Sequence, residues 1–242
     1  MTETGANGRG VYSQLQAIRA GNAFEETIEQ ILRVINLGEV PVGGRLPVER
    51  ELADILSVSR DTVREAVRVL AAEGIVESRR GRAGGTYVLR VPASESELHA
   101  ALDRLPHGLE DTLVFRRAVE AGAAQAAAAR TLTAAERSLL VERMKAAEEA
   151  DSDHYRIADT RFHLCVAELS GSPQLVAAVG EARLRVNDLL GFIPMIQANL
   201  KHAAQQHLAI SSAILRGDAE AARRAMEEHL DGTAMLLRGF LK

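Results

Sequence analysis

Apolar residues first fall into helical order at Phe24, Ile28, Ile31, Leu32 and Ile35, and Gly38 marks the end of that run. Residues 1–22 before it carry several glycines and no lasting period, which predicts a flexible arm. The stretch 40–45, with Pro41, Gly43 and Gly44, reads as a loop. Pro47 suits the opening of a short helix through Leu56, because its missing N–H is not needed there. Ser57-Val58 makes a tight connection, and Ser59 is a natural N-cap for a helix to Glu73, which Gly74 ends. Two short strands follow, 75–78 and 86–89, joined by Arg79-Arg80-Gly81-Arg82-Ala83-Gly84-Gly85. Three helices and then a hairpin predict a winged helix-turn-helix over residues 23–91, with the hairpin as a small wing.

A linker, Val91-Pro92-Ala93, leads to Ser94, which forms a capping box with Glu97. From there the pattern is helical to the end. Segments at 95–105, 108–130, 134–150, 153–169, 173–191, 195–216 and 219–241 predict an antiparallel bundle of about seven helices over 95–242. Thr133 with Glu136 is a second capping box; Gly171-Ser172-Pro173 and Gly217-Asp218 are stop-and-restart signals. The alanine-rich run 123–129 lets helices approach closely, and there is no internal repeat. The expected fold class is mainly α.

Composition narrows the field. Aromatic residues make up 3% of the chain and charged residues 26%, an ordinary core-forming balance. The net charge of −4 gives no general attraction for nucleic acid, so basic charge for DNA binding must be local. The single cysteine, Cys165, lies in the helical run Phe162-His163-Leu164-Cys165-Val166 and reads as a buried, inert thiol. The polar N-terminus has no apolar signal region and no stretch approaches 18 apolar residues, so a cytoplasmic protein is expected, with no membrane association.

The helix after Ser59 carries a local basic face. Arg60, Arg64 and Arg68 fall within about 80° of one another, while Val63, Val67 and Leu70 take the other side. A recognition helix needs this arrangement, because its first turns must reach base edges in the major groove. Arginine grips guanine bidentately, and Asp61 is able to accept from a cytosine amine. Thr62 and Arg50 suit phosphates, which position without reading sequence. In the wing, Arg79, Arg80 and Arg82 around Gly81 make a cationic tip for phosphates or a minor groove. Either arginine set taken alone is also consistent with plain solvated surface.

Asp159 and His163 stand four apart on one helical face, and His207 and His229 lie on the last two helices. A carboxylate and three imidazoles suit a divalent ion such as zinc, nickel or manganese. His202, five residues before His207, points elsewhere. Spacing alone leaves open the alternative of four hydrogen-bonded histidine and aspartate side chains with structural roles.

Three segments resemble the GntR family of regulators: Leu46-Pro47-x-Glu49-Arg50-Glu51-Leu52-Ala53, Val58-Ser59-Arg60-x-Thr62-Val63-Arg64-Glu65-Ala66 and Gly81-x-x-Gly84-Gly85-Thr86-x-Val88. Downstream, Arg116-x-x-Val119-Glu120, Asp159-x-x-Phe162-His163, the run 169–175 and the run from His207 to Leu230 resemble the FCD effector domain of its FadR branch. The resemblance implies DNA contacts at Arg50, Arg60, Thr62, Arg64, Arg80 and Gly81. Asp61 stands at a variable position, so the operator sequence does not carry over. It also implies metal ligands at Asp159, His163, His207 and His229, a homodimer on pseudo-palindromic operator DNA, and a small organic acid as effector. The expected protein is then a repressor and not an enzyme. Gln206 stands where many relatives have glutamate. Arg116 suits either a bound carboxylate or a structural pairing with Glu120. Two other readings of the helical domain are a water-activating metal site and a module that only dimerises.

Overall fold

The computed structural model describes residues 15–18, 21–36, 39–81, 84–89, 102–151, 154–193 and 197–241. It divides into two compact units, Met1–Ala93 with Met235–Lys242, and Ser94–Ala234. The sequence reading assigned the whole of 95–242 to one domain; the last residues group instead with the first unit. The linker Val91-Pro92-Ala93, the Ser94 capping box, Arg82 and most of the expected helix 95–105 lie outside the described residues.

In the first unit, α1 (Ala23–Asn36), α2 (Glu49–Leu56) and α3 (Arg60–Ala72) are followed by β1 (Val76–Arg79) and β2 (Gly85–Val88). Ile28, Ile31, Leu32 and Ile35 of α1 are buried, as are Leu52 and Leu56 of α2 and Val63, Val67 and Leu70 of α3. Helix α3 packs on both α1 and α2, so the three apolar stripes meet in one core. Ser57 takes a left-handed conformation (φ 58°) at the end of α2, and Ser59 Oγ accepts from the Thr62 N–H at 3.0 Å to start α3. That turn sets the angle between the two helices.

Four local expectations are corrected. Helix α2 begins at Glu49, not Pro47, with the Glu51 carboxylate accepting from the Val48 N–H at 3.3 Å. Residues 15–18 are not a loose arm: Leu15 is buried, Gln16 N–H donates to Gln30 Oε1 at 3.3 Å and Ile18 N–H to Leu56 O at 2.8 Å. The hairpin sits one residue nearer its turn, with Val76 opposite Val88 and Arg79 opposite Gly85. The supposed loop at 40–45 runs antiparallel beside β2. Gly43 N–H donates to Val88 O at 2.8 Å, Val88 N–H to Gly44 O at 2.9 Å, and Leu46 N–H to Thr86 O at 2.8 Å. Turn-forming residues there concealed backbone pairing, which a two-residue side-chain period does not report.

The second unit holds α4 (Gly108–Ala128), α5 (Ala134–Glu149), α6 (Tyr155–Leu169), α7 (Pro173–Leu190), α8 (Gln197–Arg216) and most of α9 (Ala219–Leu241). Helix α4 packs against α6, α7 and α8, and α6 against α5 and α7. Ala121, Ala124, Ala127 and Ala128 meet Phe162, Cys165, Val166, Ile210, Met226 and Leu230 in its core. Small residues on α4 let its neighbours' larger side chains approach its backbone. Cys165 is buried within this core, and burial pushes its thiol up to about 11, an unreactive setting. Among the described residues, no helix is long and apolar enough to cross a membrane.

The start of α5 follows its sequence signal. Thr133 and Glu136 close a reciprocal box, with Thr133 N–H to Glu136 Oε2 at 2.7 Å and Glu136 N–H to Thr133 Oγ1 at 3.2 Å. Replacing Thr133 with alanine removes one half of that box and should cost about 1 kcal/mol. Urea unfolding of the full chain measures it; an unchanged midpoint would show that α5 does not depend on its cap.

Candidate metal centre and DNA-facing surface

Helix α3 presents Arg60, Asp61 and Arg64 to solvent, and Arg50 of α2 is exposed beside them in sequence order. Arg50, Arg60 and Arg80 have no hydrogen-bond or ion-pair partner among the described residues. Arg64 is already engaged, with Nη1 2.8 Å from Asp61 Oδ1 and Nε 3.4 Å from Glu49 Oε2. Thr62 is half-buried, its hydroxyl 2.8 Å from Ser59 Oγ. Arg68 is held by Glu65 on the same helix. In the hairpin, Arg79 pairs with Glu77 at 3.0 Å and lies over the Tyr87 ring, 4.5 Å from its centre. It is therefore a fixed strand residue, whereas Arg80 and Gly81 form the exposed tip. Gly81 has φ +98° and open space around its missing side chain, a conformation that favours glycine.

In the second unit, α6, α8 and α9 bring Asp159, His163, His207 and His229 to one point. All four are buried, and one ligand atom from each lies within 4.8 Å of the others. His163 Nε2 is 3.2 Å from His229 Nε2, and His207 Nε2 is 3.4 Å from His229 Nε2. Asp159 Oδ1 is 3.2 Å from His207 Nε2 and 3.6 Å from His163 Nε2. Donors at about 2.0–2.2 Å from a shared ion stand about 2.8–3.6 Å apart, whether its angles are octahedral or tetrahedral. The four residues therefore fit a divalent ion. His202 is not in the group.

The tautomers sharpen this. His163 Nδ1 pairs with Glu120, and His229 Nδ1 is 3.0 Å from Gln206 Oε1. Both partners are acceptors, and an Nδ1–H on each ring would leave its Nε2 lone pair free to face a cation. His207, which packs on the Phe162 ring at 4.3 Å, has no partner for Nδ1 among the described residues. With their Nε2 atoms bare, the rings and the carboxylate oxygen at this spacing would need a cation among them. Burial lowers His207 and His229, the latter far below the ordinary imidazole value, and so favours the neutral ligand form.

Charged groups surround the quartet. Burial raises Asp159, but the Arg183 charge, His163 and hydrogen bonds outweigh it and hold the carboxyl well below its usual value. Burial also raises Glu120, yet His163 and Arg116 hold it down at about 2. Arg116 Nε lies 2.8 Å from Glu120 Oε1, both side chains buried, so of the two roles read from sequence the pairing is present. Tyr155, whose hydroxyl is 3.5 Å from Asp159 Oδ1, also lines a surface cavity of about 520 Å³ with Leu200, Lys201 and Leu208. Sequence reasoning missed Glu120 as the partner of His163, and missed Arg183 altogether. The signal for Arg183 was present: it takes a core position between Val179 and Val186 on α7.

A three-helix unit with a paired wing and a helical unit with a buried polar centre define a DNA-binding regulator with a ligand-binding domain. Residues 24–88 match the bacterial regulatory proteins of the gntR family, and residues 111–232 match the FCD domain. A protein of Escherichia coli (strain K12) named as an L-lactate dehydrogenase operon regulatory protein is 32% identical over 236 residues, covering 89% of this chain and 86% of its own. The Uxu operon regulator of Haemophilus influenzae is 32% identical over 221 residues, covering 87% and 80%. The solved structure of E. coli McbR/YncC shares the fold, with a TM-score of 0.50 at 20% identity, covering 88% of this chain and 96% of that one. The chain belongs to the GntR family of transcriptional regulators, in its FCD-containing group, and is not an enzyme.

Burial separates two kinds of ion pair here. Arg116→Ala should destabilise the chelator-treated protein by about 3–5 kcal/mol, because it strands the Glu120 carboxylate. Asp61→Ala, which breaks an exposed pair, should change stability by under about 1 kcal/mol. Equal effects in urea unfolding would contradict the buried setting of Glu120.

Proposed function

We propose that this regulator is a cytoplasmic homodimeric repressor whose affinity for a pseudo-palindromic operator is set by a small organic acid bound at a divalent ion. The observation that carries the reading is the convergence of three imidazole Nε2 atoms and the Asp159 carboxylate, with acceptors behind His163 and His229 holding their lone pairs inward. Asp159, His163, His207 and His229 would hold zinc, nickel or manganese, and the ion would supply a cationic centre for a carboxylate oxygen. Four protein donors leave positions open on an ion of higher coordination number. A relative named for an L-lactate dehydrogenase operon supports an acid of this size. Arg116 remains the first candidate among side chains for the effector.

The homodimer has support on the second unit's surface. Val114 on α4 and Leu184 on α7 are large apolar residues exposed at 65% and 67%. The two helices pack together, and Arg185 lies over the Phe115 ring at 5.8 Å, which brings these positions to one face. A second copy would cover that face and carry the second reading helix to the other half-site.

On DNA, Arg60 and Arg64 would read bases, with Asp61 beside them; Arg50, Thr62, Arg80 and Gly81 would hold the backbone. Arg64→Ala should weaken operator binding by about 1–3 kcal/mol, and Arg80→Ala should reduce the salt slope by about 1. A salt series in which both variants match wild type would remove the assignment.

Elemental analysis tests the metal reading directly. Wild type should carry about one divalent ion per subunit and His207→Ala far less, with affinity falling as acid protonates the ligands. Gln206→Leu should weaken binding about 10–100-fold while leaving the ligands in place. Metal content near zero, unrestored by added zinc, nickel or manganese, would sink the proposal. Effector and operator affinities should each change about 5–150-fold when the other is bound, and by the same factor. Equal effector affinity with and without operator would refute regulation through this site.

A further inference from the structure

The buried charges of the second unit do not balance once a divalent ion is counted. Among the described residues, its buried charged side chains other than the histidines are Arg116, Arg183, Glu120 and Asp159, two cations and two anions. They cancel, and a divalent ion then leaves the site with two positive charges in excess. Half-buried Arg156, whose Nη2 donates to Ile193 O at 2.9 Å, adds to the positive side. Gln206, behind His229, is neutral and returns nothing. Uncompensated charge in a buried site is costly, so the excess calls for a counter-charge.

The unused hydrogen bonds say where that counter-charge goes. Arg183 spends Nη2 on Asp159 and on Thr160 Oγ1, the latter at 3.0 Å, while its Nε and Nη1 have no partner. Arg116 spends Nε on Glu120, and its Nη1 has none. Both side chains are at least nine-tenths buried. Each guanidinium is one side chain removed from a metal-facing donor, Arg183 through Asp159 and Arg116 through Glu120 and His163. Asn187 Oδ1 and Ser211 Oγ, one turn beyond Arg183 and His207 on their helices, are also unpartnered. Buried guanidinium N–H groups without acceptors are expensive, and the planar fork fits a carboxylate.

We propose that the effector is a small dicarboxylate, one carboxylate facing the metal centre and the second held by Arg183 and Arg116, with Arg183 setting the preference for two charges over one. This rests on the reading of Asp159, His163, His207 and His229 as a metal site for an organic acid. Asn187 Oδ1, an acceptor only, favours a ligand that also carries a hydroxyl.

L-Malate and L-lactate make a matched pair, because malate is lactate with a carboxylate on its methyl carbon. Calorimetric titration of the full-length, nickel-loaded protein should show malate binding about 10–100-fold tighter than lactate, the worth of a charged hydrogen-bonded contact. Arg183→Lys keeps the charge but loses the fork, and at saturating nickel should lower malate affinity by more than it lowers lactate affinity. Gln206→Glu adds one negative charge behind His229 without touching either arginine, and should narrow the gap between the two acids. Lactate binding as tightly as malate would overturn the inference while leaving the organic-acid reading standing. Failure of both acids to bind metal-loaded protein would remove that reading as well. Inorganic phosphate matching malate would replace two separated carboxylates by a single dianionic head, and would also overturn it.

Discussion

Three buried imidazoles bring their Nε2 atoms together beside one carboxylate oxygen, and the second helical unit is arranged around that convergence. Nothing in an apolar core would select such contacts: Nε2 atoms of His163 and His229 stand 3.2 Å apart with a carboxylate oxygen beside them. Glu120 and Gln206 stand behind the opposite ring nitrogens of His163 and His229. Glu120 in turn pairs with Arg116, and Asp159 with Arg183, so the polar contacts extend outward until α4, α6, α7, α8 and α9 are all committed. A cation at the centre would join these donors through one shared partner.

This explains why the bundle tolerates two buried arginines. Each lies against a carboxylate, and the carboxylates lie against imidazoles whose orientation matters. Replacing such pairs by apolar residues would serve stability at least as well. Their retention is understandable if the site is built to answer a charged ligand, and the unspent N–H groups on both guanidiniums point the same way.

Much of the fold was legible because its signals are local. Ser59, Thr133 and Ser172 cap helices by hydrogen bonds to residues three positions on, and the period of Ile28, Ile31, Leu32 and Ile35 reports a buried face directly. Asp159 and His163 declared themselves by i,i+4 spacing, but joining them to His207 and His229 needed a resemblance, since separate helices carry no mutual spacing. Backbone pairing of 43–46 with β2 was hidden because hydrogen bonds there involve no side-chain pattern. Arg183 was passed over because a long cation on a helix ordinarily reaches solvent; only its place between Val179 and Val186 argued otherwise. Arg79 illustrates the reverse error: a wing arginine taken for a free tip is tied to Glu77 and Tyr87 by the strand register.

The pairing of Arg64 with Asp61 has a consequence for how this surface behaves on the wrong DNA. A backbone phosphate also presents two oxygens to a guanidinium, so on any DNA Arg64 would have to leave the carboxylate it holds at 2.8 Å. A guanine edge offers two acceptors in the geometry of the fork, enough to draw the side chain away. If Arg64 reads a base, Asp61 would be a resident competitor on every DNA, offset only where a site supplies the remaining contacts. In a chain whose net charge is −4, which already discourages loose attachment to nucleic acid, that local rivalry would bring discrimination down to the level of a single side chain.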